Sequence, residues 1–139
     1  MAGIFQRDFA GGPSGLASAA DELSAWLDAE QVPARAALLA RLALDELVSN
    51  ALRYGAGDGQ ALSVRFRCVL AGGEIVVEVE DDGYPFDPRG VAEPELDLPL
   101  EQQAPGGRGI HLLRSLASRF DYERRSGRNL VRLAADAHR

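Results

Sequence analysis

The chain has 139 residues, 46% apolar and 26% charged, with a formal net charge of −6. That suits one globular domain with a real core and argues against non-specific binding to nucleic acid or to an anionic membrane. All 15 basic residues are arginine and Cys68 is the only cysteine, which excludes a lysine-bearing phosphate loop, Schiff-base chemistry, an internal disulfide and a cysteine-rich zinc site.

Ile4 to Phe9 is expected as a first strand, ended by Gly11, Gly12 and Pro13. Ser14 is placed to cap a helix running to about Ala29. Its buried face is read as Leu16, Ala20, Leu23 and Leu27, with Trp26 beside it as core or as a contact between copies. Pro33 suits the first turn of a second helix. That helix passes Leu38 and Leu42 and ends at Gly55, a residue able to take the left-handed cap conformation. At 100° per residue, Glu46 and Asn50 stand about 40° apart and one turn separated on this helix. Leu44, Leu47, Val48 and Ala51 form the apolar stripe beside them. Alone, such a pair reads more readily as two solvated polar residues than as a site.

After a loop at Ala56 to Gly59, Leu62, Val64, Phe66, Cys68 and Leu70 alternate with Ser63, Arg65, Arg67 and Val69, a half-buried strand. A turn at Ala71, Gly72 and Gly73 leads into a returning strand from Glu74 to Asp81. Ile75, Val77 and Val79 share one face of it, and Asp81 continues that face. A carboxylate left there without a donor costs several kcal/mol, of order 1–3 or more, so Asp81 either caps the turn before Gly83 or holds a ligand. Between Tyr84 and Pro105, five prolines break any long helix, and a loop of this length in a small domain is commonly a lid. Gly106, Gly107, Arg108 and Gly109 then open a helix with Ile110, Leu113, Leu116 and Ala117 inward. Glycines at a helix start let phosphate reach bare amides. The dinucleotide fingerprint fails, because Leu112 stands where its third glycine belongs and no strand precedes the turn. Phe120 to Arg124 and Asn129 to Ala134 close the chain as a second hairpin about Arg125 to Arg128. This order predicts an α+β, two-layer sandwich in one domain over residues 1–139. Its sheet is mixed but mostly antiparallel, with helices on one face and a mobile lid at about 84–106.

Glu46-x-x-x-Asn50, Asp81-x-Gly83 and Gly107-x-Gly109 occur in the order and spacing of a known group. The chain resembles the GHKL (Bergerat-fold, HATPase) superfamily shared by histidine kinases, gyrase and MutL, and within it the anti-sigma-factor serine kinases of the RsbW and SpoIIAB type. The stretches Leu44–Ala51, Glu80–Pro88, Gly106–Leu112 and Gly127–Leu133 carry the likeness. The resemblance implies an ATP site in which Asp81 accepts from the adenine amino group, Gly83 passes close to the base, and Asn50 holds Mg²⁺. It implies phosphate contacts from Gly107 and Gly109, with Arg108 as an added cation. Arg53, Phe86, Gly106 and Ile110 join the nucleotide-binding set, and Glu46 is the general base. Two departures stand out: Tyr54 where the family often has His, and a first helix rich in Ala, Ser and acids where relatives often carry arginine. His111 and His138 are read as surface residues.

The implied activity is that of a cytoplasmic, ATP- and Mg²⁺-dependent serine/threonine protein kinase acting as an anti-sigma regulatory factor. Its implied partners are a STAS-type anti-anti-sigma protein, a sigma factor and a second copy of itself, with no direct nucleic acid and no membrane. The rival is a non-catalytic, ATP-sensing module that switches protein partners. The catalytic half of a two-component histidine kinase is disfavoured, because no helical hairpin bearing a phospho-accepting His precedes the domain in this sequence.

Overall fold

Strand formation follows the alternation of apolar and polar residues. In the computed structural model, which describes residues 3–10, 14–54, 62–90 and 108–138, five strands form one sheet. They are β1 (Gly3–Ala10), β2 (Ser63–Ala71), β3 (Glu74–Asp81), β4 (Arg119–Arg125) and β5 (Arg128–Asp136), in the order β1-β2-β3-β5-β4. The sheet, expected to be mixed but mostly antiparallel, is antiparallel at every one of these pairings. Hairpins supply two of them directly. Gly72 and Gly73 both have positive φ between Ala71 and its partner Glu74, the backbone that a two-residue turn demands. Ser126 and Gly127 do the same between Arg125 and Arg128.

The helices are α1 (Leu16–Ala29), α2 (Ala34–Ala43), α3 (Ser49–Tyr54) and α4 (Arg108–Leu116). They cover the sheet face that carries Phe5, Phe9, Val64, Phe66, Cys68, Ile75, Val77, Val79, Val131 and Leu133. Trp26 is half-buried and packs on Phe5 with ring centroids 5.9 Å apart, against the edge of the core. Two expectations for α1 need correcting. Its N-cap is Gly15, in the left-handed region and without a side-chain cap bond, rather than Ser14. Its buried face runs through Ala19, not Ala20, because a helix seated by Leu23 and Leu27 turns Ala19 inward one turn earlier. Pro33 caps α2 from just outside its first turn.

The opposite sheet face carries cross-strand ion pairs, Arg65 with Asp8, Arg67 and Arg132 with Glu78, and Arg128 with Glu80. Opposed charges at paired positions, or on the diagonal as for Arg128 and Glu80, suit a solvated face. Among the described residues, no helix is long and apolar enough to cross a membrane.

Cys68 lies at 0% exposure in the centre of the buried face, and burial pushes its thiol far above the ordinary range. Only the thiolate is reactive. An alkylating reagent should therefore label Cys68 in the native protein no faster than the protein unfolds. Rapid labelling of native protein, followed by intact mass, would show that the sheet opens locally.

Candidate functional site

The central departure from the expected helix lies between α2 and α3, where Leu44–Val48 form a π turn. Its hydrogen bonds span five residues instead of four, so each residue advances less than 100° about the axis. The 40° that an α-helix would put between Glu46 and Asn50 therefore no longer applies. Leu44, Leu47 and Val48 stay buried through the turn, Asp45 is exposed, and Glu46 and Asn50 are half-buried on the same shoulder. The expected cap at Gly55 and the loop after it lie outside the described residues.

The sheet brings Asp81 to meet that shoulder. Asp81 ends β3 opposite Val64 on one side and Asn129 on the other. It is 8% exposed. Its Oδ1 accepts from the Gly83 N–H at 2.8 Å and from Asn129 Nδ2 at 2.9 Å. The donors that a buried carboxylate requires are thus present, and both fall on one oxygen. Among the described residues no hydrogen bond falls on Oδ2.

A cavity of about 150 Å³ opens beside Asp81. Leu47, Asn50 and Ala51 form its helix wall, Val79, Asp81, Asn129 and Val131 its sheet wall, and Tyr84, Pro85, Phe86 and Pro88 its outer wall. An apolar slot with a few convergent polar groups is the usual form of a small-molecule site. A wider hollow of about 280 Å³ lies on the far face of the sheet, but among its lining residues Arg67 pairs with Glu78, Arg125 with Glu123 and Arg128 with Glu80. The slot fits a flat, mostly apolar ring system; the far hollow does not.

Glu46 points the other way along the shoulder, onto the start of α4. A Cβ added at Gly109 would overlap the Glu46 side chain from Cγ to the carboxyl group. Loss of hydration, reinforced by Asp45 and opposed by Arg53, holds the Glu46 carboxyl above the ordinary glutamate range. Partial burial beside the start of α4 is the source of that lost hydration.

The remaining predicted residues are placed as follows. Arg53 and Arg108 are exposed on either side of this region, and Phe86, 51% exposed, stands at the cavity rim. Gly83 is buried, and its carbonyl accepts from Arg124 Nη1 at 2.8 Å. Ile110 turns into the core at 1% exposure, so only its backbone faces the helix start. Gly106 and Gly107, and the lid from residue 91 onward, lie outside the described residues. Just before that segment, Arg114 Nη2 donates to the Arg89 carbonyl at 3.0 Å, and Arg89 pairs with Asp87. Among the described residues, no group of three or more His, Cys, Asp or Glu side chains could hold a metal. A hard ion bound here would need the Asn50 amide oxygen, water and ligand oxygens, a set that suits Mg²⁺.

Asn129 was missing from the sequence-based site. It is 2% exposed and binds Asp81, Tyr84, Phe86 and the Tyr122 hydroxyl. The available signal was its parity: Asn129 shares a strand face with Val131 and Leu133, a polar residue where the pattern calls for an apolar one.

The likeness to known proteins runs along nearly the whole chain. Residues 9–135 match the model of the histidine kinase-like ATPase domain. Over 123 residues the chain is 25% identical to the serine/threonine-protein kinase BtrW of Bordetella bronchiseptica, covering 86% of this chain and 87% of that protein. Its fold matches the crystal structure of the RsbU and RsbW domains of Rv1364c from Mycobacterium tuberculosis with a TM-score of 0.66 at 16% identity. That match takes in 99% of this chain and 33% of the larger one, so the chain spans about a third of its length.

Proposed function

The chain belongs to the histidine kinase-like ATPase domain family, and on that premise we propose that it is an ATP-dependent serine/threonine protein kinase of the anti-sigma, partner-switching type. One observation carries the reading: Asp81 and Asn50 line a single cavity while Glu46 is seated on Gly109 at the mouth of α4. In this reading the adenine ring enters the slot between Leu47, Ala51, Val79 and Val131, and Asp81 Oδ2 accepts from its amino group. The Asn50 amide oxygen is the protein's ligand for Mg²⁺, which when bound offsets the negative charge of the phosphates. The phosphates lie toward the start of α4, where Gly107, Gly109 and the dipole offer N–H groups and Arg108 offers a cation. Gly106 is taken to close the same turn.

Glu46 then receives the proton of a serine hydroxyl as its oxygen bonds to the γ-phosphorus and the bond to the β-phosphate oxygen breaks. Such a transfer needs chiefly positioning and charge neutralisation, so one base and one bound cation suffice. The phosphate acceptor is taken to be a STAS-type anti-anti-sigma protein, with a sigma factor as the alternative partner and a second copy of the chain as the expected oligomeric mate.

Incubation with ATP, Mg²⁺ and the cognate STAS partner should yield phosphoserine on that partner by mass spectrometry. No transfer to the cognate partner would reject the kinase assignment. A second outcome follows from the state of Glu46. The base acts only when ionised, and its pKa is raised, so activity should fall as pH drops through a value above the ordinary glutamate range. An acid limb at or below that range, measured as initial rate against pH, would mean that Glu46 is not the titrating group.

A further inference from the structure

We infer that the seam between α2 and α4 is a docking surface for the phosphate-accepting partner, and that it takes an acidic helix of that protein. The inference rests on the partner-switching reading proposed above. The two helices run antiparallel. Arg35 Nη2, at the start of α2, donates to the carbonyl of Ser115 near the end of α4 at 3.0 Å. Glu46, just past the end of α2, lies against Gly109 at the start of α4. One turn in from the first tie stand Leu38 on α2 and Leu112 on α4, 46% and 50% exposed. Their neighbours Leu39 and Leu113 take the core side of each helix and are fully buried. Of five large apolar side chains exposed among the described residues, Tyr84 and Phe86 wall the slot and Ile4 stands apart on β1. Leu38 and Leu112 are left on either side of one seam.

Charge and position say what covers them. α2 and α4 contain four arginines, Arg35, Arg41, Arg108 and Arg114, and no acidic residue, in a chain of net charge −6. Arg35 and Arg41 lie three residues before and after Leu38, exposed with it on the outer crest of α2. The first acid along that crest is Asp45, beside the base itself. α1, which packs beside α2, bears Asp21, Glu22 and Asp28 and no basic residue. An acidic partner is therefore drawn to the seam and turned away from α1. A second copy fits badly, because a two-fold contact through this seam would set its arginines against themselves. The phosphate acceptor is the acidic partner that position favours. Leu112 lies one turn along α4 from Gly109, a rise of about 4.5 Å, so a protein held on the seam has Glu46 at its edge. The groove between two helices suits a third, which reads it through apolar anchors a turn apart while acids on its flanks meet Arg35 and Arg41.

The test is isothermal titration of the whole chain, with ADP present, against the unphosphorylated cognate STAS partner. ADP affinity, melting temperature and sedimentation of the chain alone are measured beside it. Leu38→Ser and Leu112→Ser should each weaken partner binding about 10-fold, the loss of one interface anchor. Both should keep the parental ADP affinity and melting temperature, since these side chains are half exposed. Arg41→Glu should weaken the partner by about the same factor and flatten the salt dependence of binding. In the transfer assay the three variants should raise KM for the partner and keep kcat. Partner affinity that survives all three substitutions overturns the inference and leaves the kinase reading standing. A changed oligomeric state of the chain alone, with partner affinity kept, assigns the seam to a second copy and also overturns it. A parent protein that binds the partner but transfers no phosphate, with the variants still weakened, supports the seam and ends the kinase reading. A parent protein that binds no STAS partner overturns both.

Discussion

Glu46→Gln should cut phosphoserine formation by about 10²- to 10⁴-fold, the usual contribution of a positioned general base, while ADP affinity stays close to that of the parent. The separation follows from placement. Glu46 is not among the residues that wall the cavity with Asp81 and Asn50; it lies over Gly109, at the other end of the shoulder. Glutamine keeps the shape and loses only the ability to take a proton. Asp81→Asn is the matching control. The new amide must turn its NH₂ either toward the Gly83 N–H and Asn129 Nδ2 or toward the ligand, and each choice opposes donors. ADP affinity should then fall about 10- to 100-fold, as for loss of a hydrogen bond to a charged group, with transfer lost through binding. A non-catalytic sensor predicts another split: partner switching would survive Glu46→Gln and fail in Asp81→Asn. Quantitative phosphopeptide analysis and ADP titration on both variants separate the cases, and full transfer in Glu46→Gln would end the base assignment.

The same substitution makes a stability statement. The folded-state pKa of Glu46 is raised, so the folded protein holds that proton more tightly than the unfolded chain does. Whatever stability the group contributes is present below its unfolded pKa and lost as pH rises through the folded one. At neutral pH the ionised carboxylate therefore disfavours the fold slightly, and Glu46→Gln should melt no lower than the parent. A fall in melting temperature would mean that Glu46 makes a structural contact its surroundings do not disclose.

What the sequence made legible is what alternation and turn chemistry control. Val64, Phe66 and Cys68 announced β2, the paired glycines after Ala71 announced its hairpin, and the parity of Asp81 announced a buried carboxylate seeking donors. The misses have physical causes. Ala19 and Ala20 are the same residue type, so only the packing of Leu23 and Leu27 against the sheet decides which turns inward. The π turn at Leu44–Val48 leaves no mark in composition, because nothing in its residues separates it from an ordinary α-helical turn. Asn129 was visible only as an anomaly of parity. Its partners Asp81, Tyr84 and Phe86 lie over 40 residues away in sequence, and only the pairing of β3 with β5 brings them together.

Gly109→Ala should produce a protein that folds as well as the parent or better and transfers phosphate about 10²-fold more slowly. Gly109 lies within α4 and is not one of the positive-φ glycines, so no backbone strain keeps alanine out. Gly109 is the second residue of α4, so alanine gains only part of the roughly 1 kcal/mol by which it is favoured over glycine in a helix interior, a gain set against the local crowding. The crowding falls on a side chain, not on backbone: the new methyl group would occupy the space of the Glu46 Cγ and carboxyl. Glu46 is half-buried on an exposed shoulder, so it can swing away at little cost. The fold keeps its packing while the base leaves its post, and a misplacement of about 1 Å can cost 10² in rate. A structural role for Gly109 predicts the reverse, a lower melting temperature with a proportionate loss of activity. The decisive measurement is the double variant. If Gly109 acts only by seating Glu46, adding Gly109→Ala to Glu46→Gln should slow transfer no further, since both changes remove one function and their effects cannot add. Fully additive losses would mean that the methyl group also disturbs the phosphate contact that the proposed reading gives the Gly109 N–H.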